Sequence, residues 1–296
     1  MSTSGMPTAV KHGSSFRERA GAYARARAAR TGRPPRRAYE HYFIESEGLH
    51  SRIHLQNFWS TFWPQVDEPA TARIQAFDAG GTPLGQVERV LPPFNSMFLE
   101  LRDLLGELGA DATEGTVAID LEPPRGVRGE FGELPKPDSI EIKTPYWMAF
   151  YDDAENYMYV HSIELLRGET FGAPWILNLH ERNVAEGEPW RSWRLLEVDN
   201  LTELQVVVIN HSPDPRSSSV GIHTADDPKP IWSEALEFAP RQLHRVRVPA
   251  GELAGWRDRV AELPLVRIGV DPLLTGNGKP YVLLRYGDGP LSLHHG

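Results

Sequence analysis

Eleven histidines in a chain without cysteine make a metal or acid–base centre the first chemistry to look for. His50 and His54 stand four residues apart, a separation at which two imidazoles share a metal on one face of a helix. The segment alternates like a strand and no glutamate follows the first histidine, so the pair does not read as zinc ligands. His161 and the terminal His294 and His295 are the other candidates, with Asp153 and Asp288 nearby in turns. They allow a second reading of the chain, as a metal-dependent or accessory enzyme with a histidine site at a domain junction. Three ligands at diagnostic spacing are missing, so no metal and no other cofactor is expected. Nucleophilic catalysis finds no support either. There is no Gly-x-Ser-x-Gly elbow, and Ser217-Ser218-Ser219 falls in a polar turn. Gly276-Asn277-Gly278-Lys279 is only part of a phosphate loop and lies between strands. No catalytic residue is assigned.

Aromatic residues offer binding chemistry instead. A turn over Asp152–Asn156 pairs Tyr151 with Tyr157, Ala149 with Tyr159 and Trp147 with His161. That sets Trp147, Tyr151, Tyr157, Tyr159 and His161 on one face, with Tyr146, Met148, Phe150, Met158 and Val160 on the other. The second face reads as core. The first is an amphipathic platform that either binds a partner or is covered within the protein. Phe58 to Pro64 is the densest aromatic cluster, and its Trp59 and Trp63 either plug the end of a sandwich or anchor a ligand.

The elements that carry these residues are strands, and they come in two sets. Pro145-Tyr146, then Tyr151 and Asp153, recurs as Pro280-Tyr281, then Tyr286 and Asp288, at the same internal spacing. Each copy runs on to a histidine, His161 and His295. Two further anchors align in order, an apolar strand ending at Asn57 or Asn210, and a proline, Pro93 or Pro240, before the next strand. Repetition at this distance signals duplication of a whole folding unit. The chain divides into a basic tail over residues 1–38 that cannot pack a core, a first unit over 39–170 and a second over 171–296. The segment Trp175 to His180 could join either unit. Period-two alternation dominates both, and Leu101, Leu104, Leu105 and Leu108 predict one short helix over Leu99–Leu108. The register of the second hairpin, read like the first, puts Val282, Leu284, Tyr286, Leu291, Leu293 and His295 on one face. The fold class is all-β, two tandem, duplicated antiparallel β-sandwiches with a disordered basic tail.

Within the first unit, Ile74 to Phe77, the turn Asp78-Ala79-Gly80-Gly81, Val87 to Leu91 and Pro93 resemble bacterial immunoglobulin-like domains. A fainter resemblance is to the small β-sandwich transducer proteins of sensory rhodopsins. Neither resemblance brings catalytic residues.

The bulk composition agrees. No apolar run approaches the roughly 20 residues that cross a bilayer, so integral membrane insertion is not expected, and without a secretory apolar core the location is expected to be cytoplasmic. Residues 1–38 hold nine basic side chains against the single Glu18. A net charge of -9 for the whole therefore leaves about -17 on the rest, which repels nucleic acid. Only the tail could anchor to nucleic acid or an anionic membrane. The leading reading is a non-catalytic protein that recognises a partner protein or a glycan through the aromatic surface of its first sandwich.

Overall fold

The computed structural model describes residues 38–57, 59–60, 67–122, 124, 146–161, 163–167, 176–177, 191–210, 214–224, 227, 229–260, 264–270 and 280–295. Residues 1–37 of the basic tail and Trp63 lie outside these residues. The first set of elements is β1 (Ala38–Ile44), β2 (Leu49–Gln56), β3 (Ala70–Asp78), β4 (Pro83–Leu91), β5 (Ser96–Glu100), α1 (Leu101–Glu107), β6 (Glu114–Glu122), β7 (Tyr146–Asp152), β8 (Tyr157–His161), β9 (Ile163–Arg167) and β10 (Ile176–Leu177). The second is β11 (Arg191–Glu197), β12 (Leu201–Ile209), β13 (Arg216–Thr224), β14 (Pro230–Phe238), β15 (Leu243–Arg247), α2 (Ala250–Arg259), β16 (Leu265–Val270), β17 (Tyr281–Tyr286) and β18 (Ser292–His295).

Four antiparallel sheets result. Sheet A runs β10-β9-β1-β6-β3-β4 and sheet B runs β5-β2-β7-β8; sheet C runs β11-β16-β13-β14 and sheet D runs β15-β12-β17-β18. C repeats the β1-β6-β3-β4 part of A, and D repeats all of B, strand for strand. The fold is an all-β sandwich duplicated in tandem. β10 pairs with β9, so the segment that sequence could place in either unit extends sheet A of the first.

The anchors of the duplication have physical work in common. Asn57 and Asn210 are both fully buried. The Asn57 amide donates to the Leu91 carbonyl at 3.1 Å, and the Asn210 amide donates to the Ala239 carbonyl at 3.0 Å and the Asp214 carbonyl at 2.8 Å. Each side chain satisfies carbonyls that the end of the neighbouring strand would otherwise bury unpaired. Asn57→Ala and Asn210→Ala should each lower stability by about 1–3 kcal/mol in urea unfolding, with near-additive effects in the double variant.

The turn after each asparagine's partner strand is also shared. Asn95 N donates to Pro92 O, and Gln242 N to Ala239 O. The third residue is left-handed in both, Phe94 at φ 57 and Arg241 at φ 63. The expected helix is present as α1, which begins where β5 ends at Glu100 and buries Leu101, Leu104 and Leu105. Its counterpart α2, after β15, was not predicted. It buries Leu253 and Trp256, but Gly251 and Gly255 dilute the helical signal.

The two sandwiches share a core. In β12 the odd and even positions go to different clusters. Leu204, Val206 and Val208 join Val220, Ile222, Val282 and Leu284 in the second core. Val207 and Ile209 join Leu243, Tyr281, Leu283 and Leu293 in a core that also contains Tyr42, Phe43 and Phe150 of the first unit. Sheet D is therefore buried on both faces, one by its own sandwich and one by the first unit. Leu243 N donates to Ala79 O at 2.8 Å across this junction. A Cβ on Gly81 would sit 2.6 Å from Pro240 O, so the close approach of the Pro240 turn needs a glycine there.

This two-sided burial corrects the register expected for the second hairpin. Tyr281 pairs with His295 and Leu283 with Leu293, while Val282 pairs with His294 and Leu284 with Ser292. Leu293 and His295 therefore share a face with Tyr281 and Leu283, not with Val282 and Leu284. In sheet B, Leu55 pairs with Tyr146 and His54 with Trp147; in sheet D, Val207 pairs with Tyr281. Counting from Asn57 and Asn210, the counterpart of Tyr281 is Trp147. The repeated Pro-Tyr phrase is shifted by one residue in space, so Tyr146 faces its own core and Tyr281 faces outward into the neighbour.

Candidate functional site

The register expected for the first hairpin is present. Trp147 pairs with His161, Ala149 with Tyr159, and Tyr151 with Tyr157. Pleating then sends Tyr146, Met148 and Phe150 inward, all fully buried, and turns the alternate residues outward. The outward face of sheet B carries Trp147 at 44% exposure, Tyr157 at 37%, Tyr159 at 57% and, from β5, Phe98 at 63%. β2 adds His50, Arg52 and His54, which stand between β5 and β7 in the pairing order. Sequence reading missed Phe98, His54 and Arg52 as members of this face, because their strand neighbours are 40 to 100 residues away.

At one end the face is aromatic. The His54 ring lies 4.4 Å from Phe98 and 5.4 Å from Tyr159, both edge-on. Burial, followed by the nearby charge of Arg52, lowers the His54 pKa, so its ring stays neutral at neutral pH. Tyr157 stacks on Tyr159 at 6.2 Å and on Tyr151 at 5.2 Å, with interplanar angles of 18° and 28°. The Arg52 guanidinium sits 5.0 Å from the centre of Tyr151 and 5.5 Å from that of Tyr157. The three tyrosine rings thus stand upright with their faces turned to one another, the Tyr157 hydroxyl accepting from Arg52 at 3.3 Å.

At the other end the face is ionic and held together by its own partners. Arg52 binds Glu100 at 2.5 Å, and Tyr151 donates its hydroxyl to Glu100 at 2.7 Å. Arg102 donates to the Tyr151 oxygen at 3.0 Å. Burial pushes the Glu100 carboxyl up, but the bonds from Arg52 and Tyr151 outweigh it and hold the pKa below the ordinary value. Burial, then the Glu100 bond, raises that of Tyr151. Tyr151 is nearly buried, so it supports the platform from beneath and does not offer a contact surface.

His50 ties the rim together, Nδ1 lying 3.1 Å from Glu45 and Nε2 3.0 Å from Asp153. Burial lowers its pKa, yet the bonds to Asp153 and Glu45 outweigh that, and the net shift is upward from 6.5. A proton bound more tightly in the folded state stabilises it fully below about 6.5 and is lost as pH rises through the raised value. Wild type should therefore lose stability relative to His50→Gln as pH rises above about 6.5, read as the difference between their melting temperatures on the two sides of that pH.

The other predicted residues divide. Trp59 is 5% exposed and belongs to the first core. Trp59 is therefore packed in the core and not presented to a ligand, and the next residue, Ser60, accepts from Phe94 N at 2.7 Å and donates to Asn57 O at 2.8 Å. Trp63 lies outside the described residues, as do the side chains of His161 and His295. His294 contacts the Ser292 hydroxyl at 3.1 Å. Among the described residues no group of three or more His, Asp or Glu is placed to hold a metal ion. The histidine found at the junction of the sandwiches is His41, which sequence reading did not single out. It is fully buried, its Nδ1 lies 2.6 Å from the Tyr281 hydroxyl, and its ring meets the edges of Tyr146 and Tyr281. The first tyrosine of each copy of the phrase, Tyr146 of sheet B and Tyr281 of sheet D, thus meets the same imidazole. Burial raises the Tyr281 pKa far above its ordinary value, so the phenol keeps its proton and serves as a structural bond.

No family model matches the chain, and no curated protein matches it. Among solved structures, a protein described as a beta-galactosidase from Bacteroides fragilis is similar at 9% identity over 88% of this chain, with a TM-score of 0.19. A beta-glucuronidase from glycoside hydrolase family 2 is similar at 8% identity over 88%, with a TM-score of 0.18. This chain spans only 32% of the first and 24% of the second. With TM-scores this low, function has to be read from the chain's own geometry. No helix among the described residues is long and apolar enough to cross a membrane.

Proposed function

We propose that the chain is a non-catalytic binding protein that docks a protein partner on the outward face of sheet B. The observation that carries this is the contrast between Phe98, Trp147 and Tyr159, all largely exposed, and the ionic network beside them, already closed on itself. Arg52, Glu100, Tyr151, Arg102 and His50 each hold a neighbour. That arrangement favours a preorganised surface over proton transfer. Aromatic residues with arginine beside them are the usual anchors of protein interfaces. Sugar rings need an exposed aromatic face to lie on, and the tyrosines here turn their faces to one another. Protein therefore fits better than glycan.

The test compares the wild-type chain with a Phe98→Ser/Trp147→Ser/Tyr159→Ser variant and with a Val90→Ser control, which alters an exposed residue of sheet A. Each protein is immobilised, the captured proteins are quantified, and the same three are applied to a glycan array. Proteins retained by wild type and control but lost from the triple variant are expected. Unchanged capture by a folded triple variant would remove this face from the account, and glycan binding that needs these three rings would replace the protein partner with a carbohydrate.

A further inference from the structure

We infer that the partner on sheet B is a second copy of this chain, docked face to face about a two-fold axis. This rests on the reading of sheet B as a protein-binding face and names what binds there.

The internal duplication shows what becomes of this face when it is covered. Sheet D is the counterpart of sheet B, and its outward positions are Val207, Ile209, Leu243, Tyr281, Leu283 and Leu293, all buried against the first unit. The same positions of sheet B are His54, Gln56, Ser96, Trp147, Ala149 and Tyr159, assigned through the matching pairs of β2, β5, β7 and β8. The turn that leads into the face corresponds as well. In the second unit its left-handed residue, Arg241, lies 3.6 Å over the Phe77 ring and 3.1 Å from Glu40, pinning the turn to the first unit. In the first unit the same position is Phe94, 62% exposed. Two elements that serve as a docking surface in one copy are thus presented open in the other.

The side chains say which kind of interface is left. The covered face has an aliphatic centre around Tyr281, with Arg245 and Arg247 at its edge ion-paired to Glu47 of the first unit, and both features suit permanent burial. The open one mixes aromatic rings with histidine, glutamine and serine, which suits association between proteins that also exist apart.

Charge narrows the occupant. The chain carries -9 overall, so two copies repel unless they meet where the acid excess is absent. Sheet B is such a place. Phe98, His54, Trp147 and Tyr159 at its aromatic end bring no carboxylate, and the nearest one, Glu100, is ion-paired to Arg52 and bonded by the Tyr151 hydroxyl. A two-fold axis through the aromatic end sets the upright rings of one copy edge-to-face between those of the other, a favoured ring geometry, and leaves the ionic network at the rim. An isologous contact of this kind closes at the dimer, with no open polymer.

The full chain at concentrations from about 1 to 200 μM in sedimentation equilibrium tests this. Wild type and the Val90→Ser control are expected to dimerise, and Phe98→Glu and Trp147→Glu, each with an unchanged melting temperature, are expected to weaken the dimer at least about 30-fold. Phe94→Glu supplies an independent arm, since its side chain stands in a turn where it bears no core. A wild-type chain that stays monomeric throughout, or a dimer that the folded Phe98→Glu and Trp147→Glu variants leave intact, overturns the inference. If the chain is monomeric while the triple variant still loses captured proteins, the occupant is another protein and the reading of the face stands. If capture too is unaffected, that reading falls as well.

Discussion

Tyr281→Ala is expected to destabilise the whole chain, by roughly 3–5 kcal/mol and on the order of 10 °C in melting temperature, although the residue sits only 15 positions from the last one in the sequence. Its ring is fully buried among Tyr42, Phe150 and His41, all of the first unit, with centroid separations of 5.6, 6.2 and 6.1 Å. Truncation leaves a cavity at the point where the two cores meet, and it also leaves His41 Nδ1 without the Tyr281 hydroxyl. Tyr281→Phe separates the two effects. It keeps the ring and removes the bond, so its cost should be about 1–3 kcal/mol. Because sheet D closes both cores, wild type should melt in a single transition, and Tyr281→Ala should move that transition as a whole. Two resolved transitions, with only one displaced by the variant, would show that the sandwiches are independent domains.

The second large effect has the opposite signature. Trp147 is the spatial counterpart of Tyr281, yet Trp147→Ala should change stability by no more than about 1 kcal/mol, because its indole is largely exposed. Its effect should be on association, a loss of about 2 kcal/mol or more, close to 30-fold, if Trp147 is an anchor of the interface. Tyr159→Ala should behave in the same way, while Tyr151→Phe should do both in part. That change removes the hydroxyl that joins Glu100 to Arg102, loosening the support of the rings without removing any of them. Thermal unfolding and sedimentation on the same samples separate the two classes of residue. A tryptophan whose loss melts the protein, without affecting association, would place it in a core.

How much of this could be read in the sequence depended on locality. Strand positions were legible because β2 and β3 alternate buried and half-buried residues along their length, and the first hairpin was legible because Tyr151, Asp152 and Asn156 are neighbours in the chain. Duplication was legible too, since Asn57 and Asn210 keep the same buried amide bond. The fate of sheet D was not. Its sign was present in Val206-Val207-Val208-Ile209 and Tyr281-Val282-Leu283-Leu284, apolar runs without alternation, which is how a strand buried on both faces is written. Reading the second hairpin as a copy of the first hid that sign, because the shared Pro-Tyr phrase aligns residues that face opposite ways. The membership of Phe98, Arg52 and His54 in the candidate site could not be read at all. β2 meets β5 and β7 only through pairings with long intervening segments, and no local pattern fixes which strand lies beside which.

The most direct test is covalent surface labelling of the intact chain at low and high concentration, read residue by residue on Phe98, Trp147, Tyr157 and Tyr159 of sheet B and on Tyr281, Leu283 and Leu293 of sheet D. Strong labelling of the first set in dilute protein, falling as concentration rises, with the second set protected throughout, is the predicted result. Equal labelling of both sets, or protection of the sheet B residues even in the dilute chain, would contradict the account of one face built twice, closed in one copy and open in the other.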